Sequence, residues 1–287
     1  MKRHFILSVL WIFGTAACLN GEVRLPSIFG DHMVLQQGQK LPVWGWAEPG
    51  EEVAVSIGDK TAHVTTGKDG KWRVELEPIS VSGNPLEIVV KGRNELKLAD
   101  VLVGDVWICS GQSNMEFGLS RAHNAATELP KADCPQIRLF LVAKKNSIQA
   151  QDDVAGKWEI CTPATAARFS AVGYFFGQDI YGAFHQPIGL IGTYWGGTPA
   201  QAWTSLDGLR KDAELKGHVQ AAEKLIANYP QASVVYKDKM AEYNEAKKKW
   251  DEQYGAANAA ALNTWKSEAA TLATEGKPAP PMPKPEP

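Results

Sequence analysis

The sequence predicts an all-β region near the N-terminus followed by an α/β region. Two observations carry this. Short apolar runs separated by Gly or Pro fill residues 22–100, and one of them alternates strictly between apolar and charged positions. From residue 101 onward, strand-like runs alternate with helix-like ones, which implies parallel strands joined by crossovers.

In the first region, Met33-Val34-Leu35, Leu41-Pro42-Val43-Trp44-Gly45-Trp46 and Val53-Ala54-Val55-Ser56-Ile57 read as strands. Lys68-Asp69-Gly70-Lys71 is a turn signal, because Asp-Gly supplies the positive φ of a tight hairpin. After it, Trp72, Val74 and Leu76 alternate with Lys71, Arg73 and Glu75, a half-buried strand. Ile88-Val89-Val90 and Leu96-Lys97-Leu98 continue the series. Short strands at regular spacing predict a small β-sandwich over 22–100.

The second region starts with Val101-Leu102-Val103 and Val106-Trp107-Ile108-Cys109 and continues at Ile137–Val142. Ser170 is placed to cap a helix carrying Val172, Phe175, Phe176, Ile180 and Ala183 on one stripe. His185 follows that helix, where a cation suits the helix dipole. Pro187–Thr193 is the third strand. Residues 101–205 thus read as the start of an α/β domain with helices on both faces.

Over 206–275 charge and Ala rise and the strands stop. Tyr236, Met240, Tyr243, Trp250 and Tyr254 are spaced as a heptad-like seam, which predicts helix packed on helix, and Pro230 is expected to break the region in two. Residues 276–287 have polyproline-type linker composition. A linker that ends a chain, and a sheet of only three strands, suggest an incomplete α/β domain.

Residues 1–21 read as an export signal. Lys2 and Arg3 precede the apolar run Phe5–Phe13, and Gly14-Thr15-Ala16-Ala17 offers small residues for cleavage. The run is shorter than the roughly 20 residues that span a bilayer. Cys18 stands where a lipoprotein cysteine would be anchored. The protein is therefore expected to be exported, whether periplasmic, cell-surface or secreted, with no membrane span.

The chain has 287 residues, is 44% hydrophobic and carries a net charge of −2, which excludes a disordered polypeptide and gives no field to attract nucleic acid. Ten Trp and 26 Gly lean toward carbohydrate-active strand-and-turn proteins. Cys109, Cys134 and Cys161 are an odd number. One disulfide among them and three buried thiols are both open readings, and their spacing fits no zinc site.

Two segments carry chemistry. Val106–Met115 ends a buried strand in Ser110-Gly111-Gln112-Ser113-Asn114-Met115. A serine there is lifted out of the sheet, at the edge where α/β folds bind ligands. The Gly-x-Ser-x-Gly elbow is not matched, since position 115 is Met. A plain turn serine that caps the next segment is the alternative. The second segment is Trp195-Gly196-Gly197-Thr198-Pro199-Ala200-Gln201-Ala202-Trp203. Its glycines let backbone approach a ligand and offer N–H donors to an oxyanion, and its tryptophans could form an aromatic wall.

Together with Phe169-Ser170-Ala171-Val172-Gly173-Tyr174-Phe175-Phe176 and Leu25–Gln36, these blocks resemble the sialate O-acetylesterase family of the SGNH-hydrolase superfamily. The resemblance covers about 22–206 and leaves out 206–274 and the Pro-rich tail. It implies a β-sandwich followed by a flavodoxin-like α/β (SGNH hydrolase) domain, incomplete here and carrying a helical insertion. It implies an O-acetylated sugar or glycan as substrate and requires no metal or organic cofactor. Ser113 matches the nucleophile, and its own N–H would be one oxyanion donor. Gly197 is the candidate second donor. Gly196, Gln112 and Asn114 complete the expected oxyanion and substrate-binding set.

The family's later Gln-Gly-Glu block and its late Asp and His have no match in this chain. His4, His32, His63, His123, His185 and His218 lack the family's His context. A serine without its base loses orders of magnitude in rate, so the chain as written is expected to be nearly inactive. Two other readings stand beside an exported O-acetylesterase. One is an acetylxylan-type esterase. The other is a non-catalytic exported glycan-binding protein using Trp44, Trp46 and Trp72, for which core packing is the blander role.

Overall fold

The computed structural model describes residues 21–274 and 276–284. The export signal, His4 and Cys18 lie outside the described residues. The chain divides after Pro199 into two units.

The first unit opens with seven strands: β1 (Val34–Gln36), β2 (Leu41–Trp46), β3 (Glu52–Ile57), β4 (Lys60–Thr65), β5 (Lys71–Leu76), β6 (Ser82–Lys91) and β7 (Glu95–Cys109). Strands β2 and β5 form an antiparallel ribbon. The alternation in β5 is realised: Trp72, Val74 and Leu76 are buried, and Lys71, Arg73 and Glu75 face water. That buried side shares one core with Val53, Val55, Ile57, Ile88, Val90, Val101 and Val103 of the larger sheet. The Asp69-Gly70 turn forms, with Gly70 at φ 73°. It does not make a hairpin, because β4 pairs with β3 while β5 pairs with β2. The turn passes the chain between two layers, since the apolar side of β5 is needed across the core from β3.

Strand β7 joins the β region to the α/β region without a break. Its first part runs antiparallel to β6. Between the pairs Ile88–Leu98 and Leu86–Val101, β7 advances one residue more than β6, which is a β-bulge. Asp100 sits in the bulge with φ 55°. Its carboxylate takes Arg138 Nη1 at 2.7 Å and Nη2 at 3.1 Å, and His32 Nδ1 at 2.6 Å. Arg138 is buried. Beyond the bulge, Val101 to Gly104 are buried in succession.

The rest of the unit contains α1 (Ser113–Glu116), α2 (Ala125–Glu128), β8 (Cys134–Leu141), β9 (Trp158–Cys161), α3 (Pro163–Ala166), α4 (Ala171–Phe184) and β10 (Ile188–Gly192). Strand β10 lies between β7 and β8 and is parallel to both, as the strand–helix alternation predicts. The sequence reading missed β9, which adds an antiparallel edge beside β8. The whole is a mixed sheet with helices.

Ser170 caps α4 by accepting the Gly173 N–H at 3.1 Å, as expected. The buried face of α4 differs from the expected stripe. Phe175 and Ile180 pack against the core as expected, but Val172, Phe176 and Ala183 are exposed, and Ala171, Gly173, Tyr174 and Gly177 are buried in their place. Small residues decide this. A Cβ on Gly177 would lie 2.7 Å from Leu190, so the glycine face lets the helix seat closely on β10. His185 ends the helix in the left-handed region, at φ 52°. Residues 105–109 of β7 pair only with β10 among the described residues. Trp107 and Ile108 on that stretch are exposed, and Trp107 meets Phe176 edge-on at 5.0 Å.

The second unit is helical, with α5 (Leu206–Arg210), α6 (Lys216–Trp250) and α7 (Ala256–Thr274). Pro230 does not break α6, which runs through it for 35 residues. A proline removes one hydrogen bond, and the Ala-, Lys- and Glu-rich flanks carry the helix across the gap. The interruption comes instead at a π-turn over Asp251–Gly255. The aromatic seam is not packed helix on helix: no described residue of α6 is buried, and Tyr236 and Tyr243 are exposed.

The Asp100 cluster sets a stability prediction. Burial pushes the Asp100 carboxyl up, but hydrogen bonds from Arg138 and His32 outweigh it and hold the carboxyl below its ordinary value. Asp100→Asn strands the Arg138 charge and is expected to cost about 3–5 kcal/mol. Urea unfolding measures this, and adding Arg138→Met should recover most of the loss. With a lowered folded pKa, the carboxylate's contribution is fully present above its unfolded value near 3.9 and is lost as pH falls through the folded value.

Candidate active site

Strand β7 ends at Cys109 and the chain turns through Ser110-Gly111-Gln112 into α1. Gly111 has φ 147°, a conformation suited to glycine. Ser113 is the first residue of α1 and is exposed. Its Oγ donates to Gln112 Oε1 at 2.9 Å. Gln112 and Asn114 are exposed beside it. The strand end thus lifts Ser113 out of the sheet, as its position after an apolar run predicts.

The segment after β10 continues alongside this turn. Thr193 N–H donates to Cys109 O at 2.9 Å and Trp195 N–H to Gly111 O at 3.0 Å. That brings Gly196 over Ser113. A Cβ on Gly196 would lie 3.4 Å from Ser113 Cα, an ordinary contact, and 2.9 Å from Glu116 Oε2, so a side chain there would push the Glu116 carboxylate aside. The Gly196 N–H is occupied: it donates to Glu116 Oε2. The other Glu116 oxygen takes the Lys144 ammonium, which also lies 5.5 Å from the centre of the Trp195 ring. Hydrogen bonding from Lys144, then from Gly196, holds the Glu116 carboxyl below its ordinary range. Gly197 has φ 79° and open space where a Cβ would be.

The third block closes the site from below. Ser170 is fully buried, and its Oγ donates to Met115 Sδ at 3.3 Å. Its N–H donates to Tyr194 Oη at 3.0 Å. Ala171 N–H reaches Phe117 O at 2.8 Å, and Leu119 N–H reaches Phe169 O at 3.0 Å. Burial pushes the Tyr194 phenol up to about 12. Ser170 therefore ties α1, the start of α4 and the post-β10 segment together.

A cleft of about 610 Å³ opens beside Glu116, lined among others by Arg121, Lys144, Arg168 and Tyr194. Glu116 matches Lys144, which leaves Arg121 as the lining cation with no ion pair among the salt bridges of the described residues. Arg121 also stacks over Phe117 at 4.8 Å, and Arg168 pairs with Glu159.

Other predicted residues lie elsewhere. His32 is held by Asp100, His63 is in β4, His123 precedes α2, His185 ends α4, and His218 is in the second unit. No histidine among the described residues is hydrogen-bonded to Ser113. Trp203 belongs to the second unit. Trp72 is buried in the core, while Trp44 packs edge-on against Phe29 at 4.7 Å and Trp46 lies under Arg24 at 5.4 Å. Among the described residues, no group of three or more His, Cys, Asp or Glu could hold a metal ion.

The sequence reading missed Glu116, Lys144, Arg121 and Tyr194. Glu116 had a signal, because three residues after Ser113 is one helical turn. Lys144 had none, being far away in an irregular loop.

A family profile described as carbohydrate esterase, sialic acid-specific acetylesterase, matches residues 103–257. The chain belongs to this family of carbohydrate esterases. The match continues past residue 206, where the motif-based resemblance was expected to stop. Sialate O-acetylesterase from Homo sapiens is 34% identical over 203 residues, covering 63% of this chain and 39% of that protein. The Mus musculus enzyme is likewise 34% identical, over 63% of this chain and 37% of its own length. A crystal structure of a carbohydrate acetylesterase from Xanthomonas citri matches at 39% identity with a TM-score of 0.63, over 65% of this chain and 43% of that one. The chain spans about two fifths of the length of the relatives it matches.

The Glu116–Gly196 contact makes a direct prediction. Glu116→Ala removes the acceptor that fixes the Trp195–Thr198 turn, a charged hydrogen bond worth about 1.5–3 kcal/mol. Exchange of the Gly196 amide with solvent should speed up at least tenfold, read by NMR, while amides of β10 keep their protection.

Proposed function

We propose that the protein is an exported carbohydrate O-acetylesterase whose serine nucleophile is Ser113. One observation carries the reading: three blocks distant in sequence converge on that serine, with Gly196 laid over it and Ser170 bracing its helical turn. In a polypeptide spanning the full length of the relatives, Ser113 Oγ attacks the acetyl carbonyl and gives its proton to a general base of the kind the family's late Asp and His supply, which hands it to the sugar oxygen on collapse, while the N–H groups of Ser113 and Gly197 hold the oxyanion. Gly196 serves as the close-packing residue, its N–H being taken by Glu116. Collapse frees the sugar hydroxyl and leaves acetyl-Ser113, from which water releases acetate. Gln112 and Asn114 border the sugar.

Arg121, which lines the cleft beside Glu116 while Lys144 and Arg168 are already paired, favours an acidic sugar such as a sialic acid over the neutral backbone of an acetylated xylan. The β layers over 22–100 form the sandwich, 101–205 the first part of an SGNH-type α/β hydrolase domain, and 206–275 a helical insertion before a Pro-rich linker over 276–287. The N-terminal leader over 1–21 directs export, and Cys18 is a candidate lipid anchor. Fractionation of cells expressing the chain, followed by intact-mass analysis, should find it outside the cytoplasm with the leader removed; full-length protein that stays in the cytoplasm would sink the export reading.

Acetate release separates the catalytic reading from a glycan-binding one. In a polypeptide spanning the full length of the relatives, Ser113→Ala is expected to lower release from O-acetylated sialic acid by about four orders of magnitude or more. Retained release would remove Ser113 from the role. In the same assay Arg121→Ala should raise KM for the acidic sugar several-fold and leave KM for a neutral aryl acetate unchanged. Equal effects on both substrates would argue for the neutral xylan instead.

A further inference from the structure

The three described cysteines are free thiols. Cys109 is buried at the end of β7. Strand β10 separates it from β8, two strand spacings or about 9–10 Å. The other two face each other. Cys134 opens β8, Cys161 closes β9, and they are direct partners across the antiparallel pair. Opposed residues in such a ladder have Cα atoms about 4.5–5.5 Å apart and project from the same face. An irregularity separates this pair from the next one, Arg138–Ile160, yet Cys134 and Cys161 remain Cα partners, and a disulfide needs Cα atoms about 4.4–6.8 Å apart. Both cysteines pack into one core cluster with Tyr174. Gln178 Nε2 lies 4.0 Å from Cys134 Sγ and also donates to Tyr174 Oη, which places the Cys134 sulfur beside that ring.

We propose that Cys134 and Cys161 are a disulfide site that closes the base of the β8–β9 hairpin when the folded chain meets a small-molecule disulfide oxidant. The two thiols differ in access. Cys161 is fully buried, and burial pushes its thiol up to about 12, so it does not react first. Cys134 is partly exposed and is the point of entry. With oxidised glutathione as oxidant, the Cys134 thiolate attacks one glutathione sulfur and expels the other glutathione as thiolate. Cys161 then gives up its proton and attacks the Cys134 sulfur, expelling the second glutathione. Two protein thiols become one disulfide, and one oxidised glutathione becomes two reduced molecules. The hairpin loop carries Lys144, which grips Glu116, so the link anchors the arm that reaches the Ser113 turn.

The test uses the full folded chain. It is incubated with oxidised glutathione, unfolded, alkylated, digested without reduction and weighed by mass spectrometry. The expected result is one linked peptide pair carrying Cys134 and Cys161, lighter by two hydrogens than the reduced peptides, with Cys109 alkylated. Cys109→Ser keeps the link and Cys134→Ser abolishes it. The thermal midpoint should rise by about 5–10 °C on oxidation, and that rise should vanish in Cys134→Ser. Alkylation of both Cys134 and Cys161 after oxidation overturns the proposal. So does glutathione that stays on Cys134 without transfer to Cys161.

Discussion

The pair formed by Asp100 and Arg138 is the constraint on which the rest of the first unit depends. Arg138 is 3% exposed, and a buried guanidinium demands a partner that meets its fork. Asp100 meets it with both oxygens, at the cost of a left-handed backbone in the middle of a strand. The bulge this produces shifts the register of β7. Upstream, β7 belongs to the antiparallel β layer. Downstream, it runs parallel with β10 and delivers the chain to Ser113. Because Arg138 sits on β8, the same pair fixes β8 against β7 across β10, and with it the arm that carries Lys144.

The site follows from that alignment. Three short segments meet at one strand end, and each contributes backbone more than side chain. Gly196 lies against Ser113 and leaves room for the Glu116 carboxylate that takes its N–H. Ser170 is there because its hydroxyl and N–H can satisfy three neighbours while fully buried. Glu116 is the one carboxylate in the arrangement, held ionised by Lys144 and pointed at a backbone N–H rather than at Ser113. Its function is to hold shape, and Lys144 links that shape to a loop far away in sequence.

Local features were legible in the sequence, and long-range ones were not. The Ser170 cap needs only its own next three residues, and the alternation in β5 needs only one strand, so both were readable. The turn at Asp69-Gly70 was readable as a turn, but which strands it joined depended on a core shared across two layers. The exposed stripe of α4 was misassigned because hydrophobicity alone ranks Val172 and Phe176 above Gly173 and Gly177. Close packing on Leu190 reverses that order. At Pro230 a single-residue penalty is outweighed by a long run of good helix formers on either side. The exposed setting of Ser113 follows from its place after an apolar strand, whereas the Glu116–Lys144 pair depends on the β8–β9 loop returning to it.

The bare edge of β7 has a consequence for how this polypeptide behaves in solution. Trp107 and Ile108 project to opposite sides of a stretch whose edge away from β10 meets no described strand, although the Val106 N–H there donates to Gln36 Oε1. Val172 and Phe176 extend the apolar surface onto the neighbouring helix. Such a surface is an open template for a further strand, and it does not discriminate strongly among sources. Until a fitting segment occupies it, self-association should grow with concentration, and solubility rather than folding would limit how much of the chain can be handled.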